Sequence, residues 1–543
     1  MLKINPLLLS DSYKLTHKEQ YPKNTEYVYS NITARASRMK DIDKVITFGL
    51  QYFIKEYLIR RFNEDFFDRP KGEVIQELEN FFARYMPDVK LDMAKYEDLH
   101  DLGYLPLSIK SLPEGTRCPI GVPYCTIINT HSDFYWLTNF IETIMQNVMW
   151  NPLTCATIAD QYRKLLNSYA DTTCDNRDHV AFQAHNFSMR GMSSFESSLT
   201  TDAAHLLSFV GSDTVPGQFF LEEYYNADLQ NELVSCSVPA TEHSVQCAGG
   251  KANERETFKR LITETYPNGI VSIVSDTWDL WKVLTEIAPS LEEEIEARDG
   301  KVVFRPDTGN PIKIICGYFV EDFHGHSEEL LAKSKSSPWL QSFLPCLDDE
   351  TDALRTTDGK CFDLSFNELS IHEVKGAIEI LADKFGTTTN EAEYQELNPK
   401  VGLIYGDSIT LERCEAICSQ LEAKGYASNN VVFGVGSFTY QYNTRDTFYI
   451  ACKATWAQID GVGHNIFKDP VTDDGKKKSA CGLLRVDRVE GSHGSTLVLK
   501  DQCTKEEEAG GELIPVFEDG KLLVDETLEG IRERLACGVD YPV

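Results

Sequence analysis

KVVFRPDTGNP, residues 301–311, is the stretch around which this chain is organised. Val302, Val303 and Phe304 form a β-branched and aromatic run, and Pro306, Gly309 and Asn310 stop it. That is the pattern of a buried strand ending at a turn. Arg305, Asp307 and Gly309 stand at that end. Arginine offers a planar fork to phosphate, a carboxylate holds a sugar hydroxyl or a metal ion, and glycine admits close backbone approach. Turn chemistry favours the same residues in a plain loop, so one such segment decides nothing.

Three more segments repeat the pattern. IVSIVSD (270–276) ends in Ser275 and Asp276, VGLIYGD (401–407) in Gly406 and Asp407, and NVVFGVGS (430–437) in Gly434, Gly436 and Ser437. Longer helix-like stretches separate them, which predicts parallel strands joined by crossover helices in an α/β fold. In such sheets and barrels the polar strand ends converge on one face, where ligands bind. The repetition points to a site for a phosphorylated sugar.

The whole chain sets limits on that reading. At 543 residues it exceeds one ordinary core, so two or more domains are expected. A hydrophobic share of 42%, with 24 Tyr and 28 Phe, excludes a largely disordered chain. The formal charge of −31 argues against nucleic acid or an anionic membrane as partner, so a polyphosphate ligand needs cations gathered locally. No apolar run reaches the length of a membrane span, and the start is too polar for a signal peptide. Fifteen scattered Cys without a CxxC fit a reducing compartment, and the expected location is cytoplasmic. No GxxxxGK[ST] occurs, nor a GxGxxG between strand and helix, which weighs against a P-loop ATPase or a Rossmann dehydrogenase.

Outward from the opening stretch, YVYSNITARASR reads as a strand, and residues 47–62 and 73–86 carry helical spacing. Short strands are expected over 105–130 around the turn at Pro113 and Gly115. Ser132 and Asp133 are placed to cap an aromatic helix through Trp150, with a second helix over 157–169. The polar stretch 171–178 reads as a boundary. The long connection 312–400 reads as a surface insertion with a helix over 371–385, and its His324 and His326 as loop residues rather than metal ligands.

Further groups suit the chemistry. Phe187 and Arg190 stand at a strand end, where a ring can stack and a guanidinium can grip phosphate. Asp213 lies in the glycine-flanked VGSDTVPG, and Glu242 precedes His243, whose ring a carboxylate can orient toward nucleophilic or proton-carrying work. Arg445, Lys453, Lys468 and Lys476 gather later in the chain.

In order, DSYKLTHKEQYP, FGLQY, YWLTNFIETI, RGMSS, GSDTV, SVPATEHS, VSIVSD, FRPDTGNP, GDS, FGVGS, TRD and NIFKDPV resemble the nicotinamide phosphoribosyltransferase family over most of the chain. The resemblance implies an irregular TIM-like α/β barrel over 179–439, carrying the 312–400 insertion. A second α/β domain over 1–178 would be completed by part of 440–543. It implies a homodimer with shared active sites, Mg²⁺ and ATP as co-substrate. The reaction would convert nicotinamide and phosphoribosyl pyrophosphate to nicotinamide mononucleotide and pyrophosphate. Phe187 and the partner copy's Tyr13 would sandwich the base. Asp213 would accept a hydrogen bond from its carboxamide, Ser272 would be a further substrate-binding residue, and Arg190 and Arg305 would line the base and phosphate. Asp276 and Asp307 would sit near ribose, Mg²⁺ or the pyridine, Asp307 as the metal ligand, and Asp407 would hold ribose hydroxyls. Gly406, Gly436, Ser437 and Arg445 would take the 5′-phosphate, while Arg35, Lys453, Lys468 and Lys476 would take polyphosphate. His243, beside Glu242, would accept a phosphoryl group from ATP. Three departures from the family pattern stand out: Ser437 in place of a glycine, Ala451 in place of a serine, and the longer 312–405 connection. A nicotinate-specific enzyme of the same class is opposed by Asp213, whose charge would repel an acid substrate. A phosphosugar lyase or isomerase lacks a motif for its poised base, and the set of His243, Arg305 and Asp307 argues against a silent binding protein.

Overall fold

In a computed structural model that describes residues 3–334, 351–406, 408–467, 480–491 and 494–536, the apolar runs become strands of one sheet. In chain order these are β1 (Ala184–Asn186), β2 (Gly211–Ser212), β3 (Asn268–Val274), β4 (Asp299–Arg305), β5 (Val401–Tyr405) and β6 (Val431–Val435). Their spatial order is β2-β1-β6-β5-β4-β3, and every pairing is parallel. The sheet curls, because one segment bridges both of its edges: Cys236 pairs with Gly211 on β2, and Ala240 pairs with Ser272 on β3. All five residues of β5 are buried, as expected for a parallel strand covered on both faces.

The helices that cover the sheet are α1 (Glu142–Thr173), α2 (Phe195–His205), α3 (Ile371–Phe385) and α4 (Leu411–Ala423). The connection from β4 to β5 starts in a short helix, Pro311–Cys316, and returns through α3 and a two-stranded hairpin, Thr387–Thr389 with Gln395–Leu397. Ile315, Cys316, Ile378 and Leu381 from these two helices lie in the main core. Both ends of the 312–400 stretch are therefore the crossover of a β-α-β unit. Between them sits a four-stranded sheet built on Phe323, Leu330, Leu354 and Phe362, which form a small core of their own.

A second, seven-stranded sheet is antiparallel throughout and mixes the two ends of the chain. It sets Thr25–Ala34 between Ile450–Ile459 and Pro123–Asn129, and Leu107–Ser111 against Ile514–Glu518. The cysteines of the described residues are all free thiols. No helix among these residues is long and apolar enough to cross a membrane.

The helix expected to stop at Trp150 and the one expected over 157–169 are a single 32-residue helix, α1. Pro152 removes one amide hydrogen bond from its interior, yet the helix continues because it is the buried axis of the core. Met145, Met149, Leu153, Ala156 and Ala159 are almost wholly covered, and Asp160 is paired with Arg117 at 2.6 Å and Lys164 at 3.3 Å. The Pro152 ring fits against Gly49, which has φ +102° and whose Cβ, if present, would fall 2.7 Å from Pro152 Cγ. Gly49→Ala therefore meets both backbone strain and a clash. It is expected to cost about 1–3 kcal/mol of unfolding free energy, read from urea denaturation.

Candidate active site

The site is assembled where the parallel strands end. Asp276 follows β3 and turns one oxygen, Oδ2, onto the loop after β4. There it accepts from the Asp307 amide at 2.8 Å, the Thr308 amide at 2.9 Å and the Thr308 hydroxyl at 2.6 Å. One carboxylate thus pins the PDTG turn to the neighbouring strand. Its other oxygen, Oδ1, is buried and has no hydrogen-bond partner.

That oxygen lies 3.9 Å from His243 Nε2, which is itself 3.3 Å from Asp307 Oδ1. The opposite ring nitrogen, Nδ1, is 3.0 Å from Thr277 Oγ1. Ligand atoms of His243, Asp276 and Asp307 lie within 4.8 Å of one another, the one such group among the described residues. The carboxylate expected to orient His243 was its neighbour Glu242, and here the structure differs. Glu242 is extended (φ −120°, ψ 170°), is exposed, and accepts from the Ser244 hydroxyl. Adjacent side chains on extended backbone diverge, so the partners of His243 come from the ends of β3 and β4 instead.

Arg305 sits beside this cluster and donates to the Thr241 carbonyl. Burial lowers the pKa of its guanidinium, against the opposing pull of Asp307, Asp213 and Asp276, and Arg190 pushes the same way as burial. Its Nε is buried without a partner. Gly406, at the end of β5, closes the wall: a Cβ there would lie 3.1 Å from Asp307 Cβ and 3.4 Å from the Arg305 side chain.

Across the mouth of the curled sheet, Phe187 continues β1 and donates its amide to the Val435 carbonyl at 2.9 Å. Its ring packs 4.8 Å from that of His185. Asp213 continues β2, and its Oδ1 accepts from His185 Nε2 at 2.9 Å and from the Ser237 hydroxyl at 2.6 Å. Burial raises the Asp213 pKa, but these two hydrogen bonds and the charges of His185 and Arg305 outweigh it, so its carboxyl lies below the ordinary value. Ser272 on β3 is buried, and its hydroxyl has no partner. Ser437 packs on Gly191, where a Cβ would lie 2.0 Å from Ser437 Oγ, so the loops after β1 and β6 touch beside Arg190. Gly436 is buried at the end of β6.

The remaining candidates stand apart within this chain. Tyr13 is 56% exposed and its ring meets His17. Arg35 binds the Phe448 and Tyr449 carbonyls, Arg445 pairs with Asp446, and exposed Lys453 lies opposite Asn31 on the seven-stranded sheet. Asp407, Lys468 and Lys476 lie outside the described residues. The sequence reading missed His185, Ser237, Thr277 and Thr308. Two of these follow a recognised acid directly, and His185 stands two residues before Phe187 on a strand, hence on the same face.

Two families of known proteins match this chain. Residues 182–506 match the nicotinate phosphoribosyltransferase (NAPRTase) family, and residues 5–85 match the nicotinamide phosphoribosyltransferase N-terminal domain. A nicotinamide phosphoribosyltransferase of Acinetobacter baylyi is 46% identical over 545 residues, covering 98% of this chain and 97% of that protein. The chain belongs to the nicotinamide phosphoribosyltransferase family. Another member, from Mycoplasma pneumoniae, is 32% identical over 87% of this chain and 93% of its own. A solved nicotinate-nucleotide pyrophosphorylase from Pyrococcus furiosus superposes with a TM-score of 0.51 at 13% identity, over 99% of this chain and 96% of that one, a likeness of fold. The segments that carry the cluster, 270–276 and 301–311, fall inside the 182–506 match.

The Asp276 clamp makes a testable distinction. Asp276→Asn keeps one acceptor for the turn and is expected to lose about 1 kcal/mol. Asp276→Ala strands three donors and is expected to lose about 2–4 kcal/mol. Denaturant titration of both variants checks the ordering, and both are expected to lose activity.

Proposed function

We propose that this chain transfers the phosphoribosyl group of phosphoribosyl pyrophosphate to nicotinamide, releasing nicotinamide mononucleotide and pyrophosphate in NAD salvage. The observation that carries the choice of base is Asp213, an acid held below its ordinary pKa near the ring of Phe187. A carboxylate accepts from the amide N–H of nicotinamide and repels the carboxylate of nicotinate. Phe187 gives the base a face to stack on, and Ser272 holds a buried, unpartnered hydroxyl two residues before the end of β3. Tyr13, exposed in its own chain, would close the other face of the base from a second copy in a homodimer.

In the reaction the ring nitrogen of the base forms a bond to the anomeric carbon as the bond from that carbon to the pyrophosphate oxygen breaks. Positive charge builds on the ribose, and Asp276 and Asp307 stand ready to face it. Positioning dominates, since a neutral pyridine nitrogen needs no base to make it nucleophilic. Arg305 and Arg190 face the anionic groups, Gly406 and Gly436 leave the backbone open to the 5′-phosphate, joined by Ser437 and Arg445, and Asp407 would hold the ribose hydroxyls. Arg35, Lys453, Lys468 and Lys476 form the polyphosphate set, reached across the dimer.

The residues fit a Mg²⁺ ion. Asp276 Oδ1 is buried and unpartnered, close to Asp307, and carboxylate oxygens are the donors this hard cation prefers. Asp276 and Asp307 would hold it, and when bound it neutralises charge on the departing pyrophosphate. His243, a poor ligand for Mg²⁺, is left for a different task. Its half-exposed ring is steadied by Thr277 on one nitrogen and faces two acids on the other. It would take the terminal phosphoryl group of ATP, forming an N–P bond as ADP leaves, and water would later release phosphate. The curled sheet is read as an irregular TIM-like barrel over 179–439, with a second domain made of 1–178 and part of 440–543.

Product formation from phosphoribosyl pyrophosphate and Mg²⁺, with nicotinamide and nicotinate side by side and with or without ATP, tests these assignments. Nicotinamide is expected to be strongly preferred, and Asp213→Asn is expected to erode that preference at least tenfold. His243→Ala is expected to abolish stimulation by ATP. Preference for nicotinate in the native enzyme would overturn the base assignment.

A further inference from the structure

We propose that His185 is a positioning residue that sets base selectivity by holding Asp213 with one specific oxygen toward the base. This rests on the reading of Asp213 as the acceptor for the carboxamide. The argument starts from the way the carboxylate is satisfied. His185 Nε2, at 2.9 Å, and the Ser237 hydroxyl, at 2.6 Å, both reach the same oxygen, Oδ1. Oδ2 has no hydrogen bond from any described residue. Two donors converging on one oxygen fix the rotation of the carboxylate and keep the other oxygen for a ligand. They also stabilise the ionised form, which accepts from an amide and rejects an acid.

The same imidazole touches the second element of the base pocket. His185 and Phe187 are two apart on one extended segment and share a face, with ring centroids 4.8 Å apart and planes tilted by 33°. One side chain therefore sets both the plane on which the base stacks and the acceptor at its edge. The ring is held in place by its surroundings. Its side chain is only 12% exposed, and it lies against Gly211 of β2, where a Cβ would fall 2.8 Å from His185 Nδ1. Gly211 is the space that lets the ring reach Asp213. Because the bond to an ionised Asp213 needs a donor, Nε2 carries a proton in whichever form the ring adopts.

Four variants measured by steady-state kinetics test the assignment, each checked for native folding by thermal denaturation. His185→Phe keeps a ring against Phe187 and removes the donor. His185→Gln returns an N–H at the reach of Nε2. Gly211→Ala displaces the ring while leaving the histidine in place. Asp213→Asn tests the underlying reading. His185→Phe is expected to raise KM for nicotinamide roughly ten- to hundredfold, the scale of one charged hydrogen bond. Its kcat and its KM for phosphoribosyl pyrophosphate are expected to stay near native, and nicotinamide-over-nicotinate selectivity is expected to fall in parallel. His185→Gln is expected to recover most of both losses, and Gly211→Ala to reproduce them in part. A native KM and selectivity in His185→Phe would overturn the proposal, as would equal losses in His185→Phe and His185→Gln. Should His185→Phe fail to fold, Gly211→Ala with native KM and selectivity would overturn it. If Asp213→Asn alters selectivity while the His185 variants do not, only the positioning role fails. If Asp213→Asn leaves selectivity untouched, the reading of Asp213 itself falls.

Discussion

The site depends on a division of labour between the two oxygens of Asp276. Three donors from residues 307 and 308 occupy one oxygen, and the other is buried without a partner beside His243 and Asp307. A buried carboxylate with an unsatisfied oxygen is costly, so it persists only because the satisfied side holds it rigidly. That rigidity carries the PDTG turn with it, and the turn carries Asp307 and the start of the β4–β5 crossover. The open side is then a fixed, negatively polarised point where the strand ends meet, with His243 steadied by Thr277 on the far side. Preorganisation of this kind needs no movement at the moment of reaction.

Electrostatics follow from the same geometry. A chain of formal charge −31 is an unpromising host for a polyphosphate, yet Arg305, half-buried, sits among acids at the centre of the strand ends. Burial lowers its pKa, and Asp307, Asp213 and Asp276 oppose that shift. An arginine stays protonated under such conditions, whereas a lysine there would be more readily neutralised. The guanidinium is thus a permanent cation among carboxylates, and in the proposed reaction it would face the anionic groups of the substrate.

The side of the mouth proposed to take the base is built by the same economy of contacts. Phe187, His185, Asp213 and Ser237 come from the ends of β1 and β2 and from the segment that bridges both sheet edges. That segment, 236–240, does double duty: it curls the sheet and delivers a hydroxyl to Asp213. Curling is what brings β2 and β3, the two edges, onto a common mouth.

The sequence by itself determined the strand ends. Short β-branched runs stopped by Pro, Gly, Ser and Asp occur at 270–276, 301–311, 401–407 and 430–437, and alternation with helical stretches made a parallel α/β sheet legible, because side-chain period and turn chemistry are local properties. The acids and arginine of the site were legible for the same reason, each standing at the end of such a run. Which groups pair was decided only by the tertiary structure. His243 turns from its neighbour Glu242 to Asp307, 64 residues away, because backbone direction overrides adjacency. The same holds for α1, which runs unbroken through Pro152 since burial against Gly49 outweighs one missing hydrogen bond. It holds again for His185, whose ring has its place only because a glycine of the neighbouring strand leaves room for it. Periodicity is written along the chain, but the direction in which a side chain points depends on strand register and on what packs behind it.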